Sequence, residues 1–174
     1  MNELELLKEY ITSSEPRLNY ELRSGENCED AVIFDRLFSV GEVPTTLYRF
    51  LPDENMQISE DNIFCDSAYL SCTSDIDKYW GRTNGEKLTC IMIKTHSPMS
   101  RVDINSFLPN QNDEGEYILP RNSRLKITKH QCFEGIHGFE KFIDIVGSFE
   151  NANTLSDIYH YHKIDLYTAE IIQI

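Results

Sequence analysis

The sequence predicts a single α+β domain in which helices precede strands. The chain has 174 residues, of which 40% are hydrophobic and 11% aromatic, and this is enough to build one compact core. Apolar residues recur at helical spacing in residues 1–40, and from Thr45 onward short β-rich segments alternate with polar turns. No linker, internal repeat or low-complexity tract divides the chain, so we expect residues 1–174 to form one domain.

The first part of the chain predicts two helical segments. Residues 3–11 form a short amphipathic stretch. A second stretch lies between the break at Gly25 and the breaker at 41–44, and its apolar positions are Ala31, Ile33, Phe34, Leu37 and Phe38. These apolar side chains are expected to lie in the core.

The rest of the chain predicts mainly strands. Segments rich in β-branched and aromatic residues are 46–51, 68–73, 88–94, 116–119, 124–130, 139–146 and 164–172. Residues 75–80 predict a helical turn, and residues 149–157, rich in Asn and Ser, predict a surface loop.

The charge of the chain bears on its partners. Twenty-nine acidic residues against sixteen basic ones give a formal net charge of −13. Such a charge disfavours attraction to nucleic acid and to anionic membranes, and it is compatible with a basic protein partner. We therefore expect neither nucleic acid nor a membrane as a partner.

The cysteines and the amino terminus bear on the compartment. The five cysteines are odd in number and contain no CxxC pair, so we expect free thiols in a reducing compartment. Residues 1–7 lack the basic-then-apolar order of a signal peptide, and no run of about eighteen apolar residues is present. We expect a protein that is cytoplasmic at synthesis, with delivery into a target cell by a non-Sec route left open.

One arginine stands in an otherwise apolar predicted strand. The strand reads Leu47-Tyr48-Arg49-Phe50-Leu51, and burying the Arg49 guanidinium is costly unless an anion meets it. A buried carboxylate and the phosphates of a nucleotide are the two alternatives.

Two glutamates lie two residues apart at the start of another predicted strand. Because side chains alternate along a strand, Glu114 and Glu116 would project from one face, where like charges repel unless a cation comes between them. The alternative is a solvated turn that leads into the strand. The pair favours a positively charged reaction centre.

Three further features are weaker. The segment Tyr69-Leu70-Ser71-Cys72-Thr73-Ser74 ends in small hydroxylated residues, which by themselves indicate a turn or a helix cap. The polar loop 105–113 contains Phe107, either exposed for partner recognition or tucked into the core. His160 and His162 form an H-x-H pair without a third ligand at a telling spacing, so no metal is expected.

The order of these segments resembles the mono-ADP-ribosyltransferases of the R-S-E class, which include the clostridial binary toxins and many bacterial and phage effectors. The likeness runs from residue 18 to residue 127. Its parts are Leu22-Arg23-Ser24-Gly25, Leu47-Tyr48-Arg49, Tyr69-Leu70-Ser71-Cys72-Thr73, and Glu114-Gly115-Glu116 through Arg121. Residues 134–164 do not resemble the usual ending of the family.

The resemblance implies an ADP-ribosyltransferase-like fold, with two packed, roughly perpendicular β-sheets, amino-terminal helices and NAD as co-substrate in a central cleft. Arg49 matches the arginine that contacts the dinucleotide phosphates, with Tyr48 and Thr73 beside the cofactor. Ser71 matches the serine that braces the catalytic glutamate, and Glu116 matches that glutamate.

The resemblance also bears on the acceptor. Glu114 falls where arginine-modifying members carry a glutamate and asparagine-modifying members a glutamine. Phe107 lies where the substrate-recognition loop often has an aromatic residue. Cys72 and Thr73 depart from the Ser-Thr-Ser element of the family, and this departure concerns the nicotinamide pocket.

The expected function is transfer of ADP-ribose from NAD to an arginine of a target protein, with release of nicotinamide, by a bacterial or phage effector or toxin. The alternatives are an NAD glycohydrolase, which uses water as the acceptor, and a non-catalytic NAD- or ADP-ribose-binding module. The intact set of Arg49, Ser71 and Glu116 argues against the last. The sequence does not name the target protein, and it leaves open an immunity protein or a chaperone as a further partner.

Overall fold

The amino-terminal part of the chain is helical, as expected. The computed structural model describes residues 1–13, 16–26, 28–52, 56–78, 86–109, 115–147 and 149–173. Helices α1 (Glu3–Thr12), α2 (Arg17–Ser24) and α3 (Glu29–Phe34) come first, and a 3₁₀ turn (Asp35–Leu37) continues α3. Asn2 and Glu5 form a capping box at the start of α1, which satisfies backbone N–H groups that the helix leaves free.

The described strands form one mixed sheet. They are β1 (Ser39–Gly41), β2 (Thr46–Pro52), β3 (Ile63–Cys65), β4 (Leu70–Thr73), β5 (Lys87–Lys94), β6 (Met99–Asp103), β7 (Glu116–Leu119), β8 (Arg124–Glu134) and β9 (Lys163–Gln173). Their order is β1-β6-β7-β4-β2-β5-β9-β8-β3, and among these pairs only β5 and β9 run parallel. The later helices are α4 (Ile104–Phe107), α5 (Gly135–Val146) and α6 (Ala152–Tyr159).

The sheet has two halves that meet at a single residue pair. Strands β1, β6, β7 and β4 form the smaller half, β2, β5, β9, β8 and β3 form the larger half, and Tyr48 opposite Thr73 joins them. One core cluster takes buried side chains from both halves, among them Leu47 and Ile91 from the larger and Leu70 and Leu119 from the smaller. The sheet therefore curls so that its halves face each other, and the expected α+β class with amino-terminal helices is confirmed.

Each half also carries helices on its other face. Helices α1 to α3 bury Leu6, Tyr10 and Phe34 against Tyr69 and Ile118 of the smaller half. Helices α5 and α6 bury another set of side chains against the larger half, including Phe142 and Ile158. Apolar surface removed from water is the main stabilising term of this layered arrangement.

Two predictions of secondary structure were wrong. Residues 139–146, predicted as a strand, lie in helix α5, where Phe139, Phe142 and Val146 are buried on one side. Residues 149–157, predicted as a loop, largely fall in helix α6, whose first turn is capped by the Asn151 side chain accepting from Asn153 N–H. The short strands β1, β3 and β6 were not predicted.

The remaining expectations concern single features. Residues 75–78 form a turn closed by Lys78 N–H and the Asp75 carbonyl oxygen, and the last residues of the predicted helical turn, 79 and 80, lie outside the described residues. All five cysteines are free, as expected. Within the described ranges, no helix combines the length and the apolar composition that crossing a membrane requires.

Candidate active site

Three adjacent strands bring the residues of the R-S-E pattern together. Strand β4 lies between β7 and β2, so Ser71 lies between the strands that carry Glu116 and Arg49, with Glu116 diagonal to it, opposite Thr73. Thr73 is paired with Glu116 of β7 on one side and with Tyr48 of β2 on the other, so it marks how the three strands are aligned.

Arg49 occupies the place where β2 and β4 diverge. Its neighbours on the same face of β2, Leu47 and Leu51, are buried in the core between the halves. Because the β2–β4 ladder has one residue pair, the Arg49 side chain reaches across the gap, and its Nη1 donates to the Ser71 carbonyl oxygen at 2.7 Å. Its Nε is buried and has no acceptor among the described residues. A guanidinium with a buried, unused donor fits a site for an anion such as a diphosphate.

Ser71 points toward the amino-terminal helices. Leu70 and Cys72, its neighbours in β4, face the core between the halves, so the Ser71 side chain lies on the opposite face. Its hydroxyl lies 3.1 Å from the hydroxyl of Tyr10 in α1. Glu116 is half-buried and shares this face, since it is paired with Thr73.

Tyr10 and Asn19 are site neighbours that the sequence analysis missed. Asn19 Nδ2 donates to the Tyr10 hydroxyl at 3.0 Å and to the Tyr69 carbonyl oxygen at 3.2 Å, and Tyr69 N–H donates to Asn19 Oδ1 at 3.1 Å. An asparagine buried inside a helix is the signal that could have found them, because a buried amide requires partners.

Cys72 and Thr73 are the two residues that depart from the Ser-Thr-Ser element. Burial raises the pKa of the Cys72 thiol to about 12, so the thiol is neutral. It packs as an apolar side chain in the core between the two halves. The Thr73 hydroxyl oxygen accepts from Asp75 N–H at 3.0 Å, which places this side chain in the turn that follows β4.

Gly115 sets the backbone geometry where the chain enters β7. Its φ is +56°, a left-handed conformation that glycine adopts without strain. Its carbonyl oxygen accepts from Ser74 N–H at 2.9 Å, and a Cβ at this position would lie 2.3 Å from Ser74 Oγ. Glycine is therefore favoured where the chain enters β7, since a side chain would be strained and would displace Ser74 Oγ. Glu114, the expected partner of Glu116, lies outside the described residues.

The Tyr48 side chain lies apart from Arg49 and Ser71. The Tyr48 ring packs against the outer core of the larger half, and its hydroxyl donates to the Val146 carbonyl oxygen at 3.0 Å. These contacts bind Tyr48 to helix α5, and its expected role in cofactor binding stays a prediction that they do not support.

Phe107 lies at the end of the short helix α4. Asp103 caps this helix by accepting from Asn105 N–H at 3.1 Å, and Ile104 anchors it in the core. The Phe107 side chain is 40% exposed, so of the two alternatives for this residue the exposed one is observed.

A second arginine lies near Arg49. Arg23 Nε and Nη2 donate to the two carboxylate oxygens of Asp66 at 3.1 and 2.6 Å. Burial would raise the pKa of Asp66, but the hydrogen bonds from Arg23 and from Ala68 N–H, with the charges of Arg23 and Arg49, hold it below its ordinary value. The carboxylate thus interacts with both guanidinium groups.

Metal chemistry has no candidate centre in the described ranges. No group of three or more His, Cys, Asp and Glu side chains there is arranged to hold a metal ion.

Comparisons with known proteins give the fold. No family model and no curated protein matches the sequence. Among solved structures, the ATR domain of Salmonella SpvB matches with a TM-score of 0.63 and 15% identity over 98% of each chain. C3larvin toxin, an ADP-ribosyltransferase from Paenibacillus larvae, matches with a TM-score of 0.57 and 16% identity over 98% of this chain and 87% of that one.

A third structure carries a ligand and a partner. Exoenzyme S from Pseudomonas aeruginosa, in complex with human 14-3-3 protein beta and bound to carba-NAD, matches with a TM-score of 0.59 and 12% identity over 98% of this chain and 73% of that one. The strand order, the helices and these likenesses together show that the chain has the fold of the bacterial ADP-ribosyltransferase toxins.

Proposed function

We propose that the chain is an NAD-dependent mono-ADP-ribosyltransferase that modifies an arginine of a target protein and releases nicotinamide. The observation that carries the proposal is the adjacency of β7, β4 and β2, the three strands that carry Glu116, Ser71 and Arg49. The buried, unused Nε of Arg49 supports a diphosphate ligand at this point.

Each residue has a chemical task in this proposal. Arg49 holds the diphosphate, so that the ribose is fixed while its bond to nicotinamide breaks. Glu116 stabilises the positive charge that develops on the ribose as neutral nicotinamide leaves with the bonding electrons. Ser71 holds the Glu116 carboxylate in position.

Glu114 supports arginine as the proposed acceptor. An arginine side chain is charged and therefore a poor nucleophile, since its pKa exceeds about 12. A carboxylate at position 114 would orient the guanidinium and take its proton as the new C–N bond forms. We propose that Phe107 contacts the target protein, because it is exposed at the end of α4.

Two structural neighbours support the co-substrate and the kind of partner. Exoenzyme S binds carba-NAD and a 14-3-3 protein, and C3larvin is named as a toxin with this activity. We propose NAD as the co-substrate, a protein as the acceptor and a delivered effector as the biological role. The net charge of −13 favours a basic surface on the target.

The test is a labelling experiment with NAD. The chain is incubated with cell lysate and NAD labelled in its adenylate part, and the labelled proteins are identified by mass spectrometry. We expect a labelled protein modified on arginine, and a loss of at least about 100-fold in the rate with Glu116→Gln, which keeps the shape but removes the charge.

Other outcomes would contradict the proposal. Free ADP-ribose without labelled protein would favour an NAD glycohydrolase. NAD binding without either product would favour a non-catalytic module, and so would unchanged activity or toxicity in Glu116→Gln.

A further inference from the structure

Ser74 contacts the peptide group that precedes Glu116 through two donors. Its N–H donates to the Gly115 carbonyl oxygen at 2.9 Å, and its hydroxyl donates to the same oxygen at 3.2 Å. A carbonyl oxygen has two lone pairs, so it can accept both bonds. This carbonyl belongs to the peptide group that joins Gly115 to Glu116, and its orientation therefore affects the direction in which the Glu116 side chain projects.

The Gly115 backbone needs an external hold of this kind. Glycine adopts φ angles of either sign at little cost, so its own sterics do not enforce the φ of +56° observed at Gly115. The contacts to Ser74 therefore select one of several conformations that are open to this glycine. A Cβ on Gly115 would lie 2.3 Å from Ser74 Oγ but 3.6 Å from Ser74 Cβ, so it is the hydroxyl oxygen that makes the approach close.

The turn that follows Ser74 is anchored to the start of helix α6. The Asp77 carboxylate accepts from the backbone N–H groups of Glu150 and Asn151 at 2.8 and 3.3 Å. The Asp77 carbonyl oxygen accepts from the Thr154 hydroxyl at 3.1 Å. Strand β4 ends directly before Ser74. Ser74 is thus held from both sides, which gives its two donor groups a fixed position.

We propose that Ser74 is a positioning residue for Glu116: its N–H and its hydroxyl hold the Gly115 carbonyl oxygen, and this fixes the backbone from which the Glu116 side chain projects. Ser74 lies one residue beyond the segment Ser71-Cys72-Thr73, so the task assigned to Ser71 does not include it. The inference rests on the proposed function, since it specifies how the glutamate of that site is oriented.

Ser123 provides a matched control at the other end of β7. Its N–H and its hydroxyl donate to the Pro120 carbonyl oxygen at 3.3 and 2.5 Å, the same pair of bonds that Ser74 makes to Gly115. Ser123→Ala therefore removes the same chemical group from the same kind of contact, at the end of the strand away from Glu116. A general loss of strand stability would affect both serine variants, whereas a loss of orientation at Glu116 would affect Ser74→Ala alone.

The experiment measures NAD cleavage and urea unfolding for both serine variants. Ser74→Ala should lower kcat about fivefold, the effect of one lost hydrogen bond, and should leave KM within about twofold because the contact is not part of the dinucleotide site. Ser123→Ala should leave kcat within about twofold, even where its urea midpoint falls further than that of Ser74→Ala.

A double-mutant cycle with Gly115→Ala tests the contact itself. The new Cβ forces the Ser74 hydroxyl away from its acceptor, so Gly115→Ala and Ser74→Ala remove the same interaction. In the Ser74→Ala background the nearest side-chain atom is the Cβ at 3.6 Å, an ordinary contact distance. There, Gly115→Ala should shift the urea midpoint and kcat no more than about half as far as it does in the wild type.

Two results would overturn the inference: additive losses in the cycle, or equal losses of kcat in Ser74→Ala and Ser123→Ala. Crystal structures of the wild type and Ser74→Ala provide a readout that needs no activity. We expect one orientation of the Glu116 side chain in the wild type and a displaced or mixed orientation in the variant. An inactive wild type with this displacement would defeat the proposed function alone, and an unchanged Glu116 would defeat the positioning role.

Discussion

A single half-buried arginine, Arg49, distinguishes β2 from an ordinary core strand. The sequence predicted that Arg49 would need an anion and left open which one. The structure shows one of its N–H groups donating to the Ser71 carbonyl oxygen and Nε without an acceptor among the described residues. Among the described residues no carboxylate accepts a hydrogen bond from Arg49, although the charges of Asp66 and Arg49 act on each other. The sequence indicates that the Arg49 guanidinium needs a partner, but it does not show which of its N–H groups are hydrogen-bonded.

Glu114 carries a prediction at the scale of one residue. Glu114→Gln should suppress arginine modification by at least about 100-fold while leaving some NAD hydrolysis, because the role proposed for its carboxylate concerns the acceptor and not the ribose. The two activities are measured separately, as labelled protein and as free ADP-ribose. Glu116→Gln is the control that should lose both activities, and equal loss of both in Glu114→Gln would contradict the assigned role.

The element that holds the glutamate is the entry into β7. Gly115 has a positive φ and lies against Ser74, so the conformation of the backbone fixes the direction in which β7 begins. The sequence showed a glycine between two glutamates. Only the pairing of β4 with β7 shows that a side chain there would meet Ser74 Oγ.

Gly115→Ala tests this entry, and Gly135→Ala is its matched control. Both glycines have positive φ, but a Cβ at Gly135 would meet nothing within 4 Å. We expect Gly135→Ala to lower the free energy of unfolding by about 1 kcal/mol through backbone strain. Gly115→Ala should cost about 3 kcal/mol, because Ser74 must also shift. Urea unfolding measures both changes.

The same pair of variants has an activity readout. NAD cleavage should fall in Gly115→Ala and stay near the wild-type rate in Gly135→Ala, since only the former adjoins Glu116. Equal unfolding free energies and equal activities for the two variants would show that Ser74 does not constrain this turn.

At the scale of the whole molecule, a buried carboxylate ties three strands of the larger half together. Asp165 of β9 accepts from Lys87 of β5 at 2.9 Å and pairs with His130 of β8 at 3.1 Å. Burial would raise the pKa of Asp165, but the hydrogen bonds from Lys87 and His130, with the charges of Lys87 and Lys163, hold it below its ordinary value of 3.8.

This carboxylate makes stability depend on pH. Because the pKa of Asp165 is lower in the folded chain, the unfolded chain binds the proton more readily. Its contribution is complete above about pH 5 and is lost as the pH falls toward the folded-state pKa. Asp165→Asn should lower the free energy of unfolding by about 2 kcal/mol near neutral pH and flatten its decrease between about pH 5 and pH 3.

Urea unfolding at several pH values checks this expectation. Asp144→Asn removes the same charge from an exposed position of α5 and should leave the pH dependence near that of the wild type. A decrease of equal slope in Asp165→Asn and the wild type would show that other groups govern acid unfolding.

The sequence by itself determined the order of the candidate site residues along the chain and the class of the fold. Short segments rich in β-branched and aromatic residues around Arg49, Ser71 and Glu116 placed each residue on a strand, because strand propensity is a local property. The same local reasoning identified the helices that precede the strands. It also assigned 139–146 to a strand on composition, although Phe139, Phe142, Ile143 and Val146 follow the helical spacing that the structure uses.

Only the tertiary structure decided which of these residues meet. Pairing of β4 with both β7 and β2 joins residues that are distant in sequence, and no local signal encodes such pairing. Packing of α1 and α2 on the smaller half brings Tyr10 and Asn19 close to Ser71. Packing of α5 on the larger half lets the Tyr48 hydroxyl donate to the Val146 carbonyl oxygen. The physical reason is that hydrogen-bond partners are chosen by proximity in the folded core, whereas a sequence specifies only what each side chain can donate or accept.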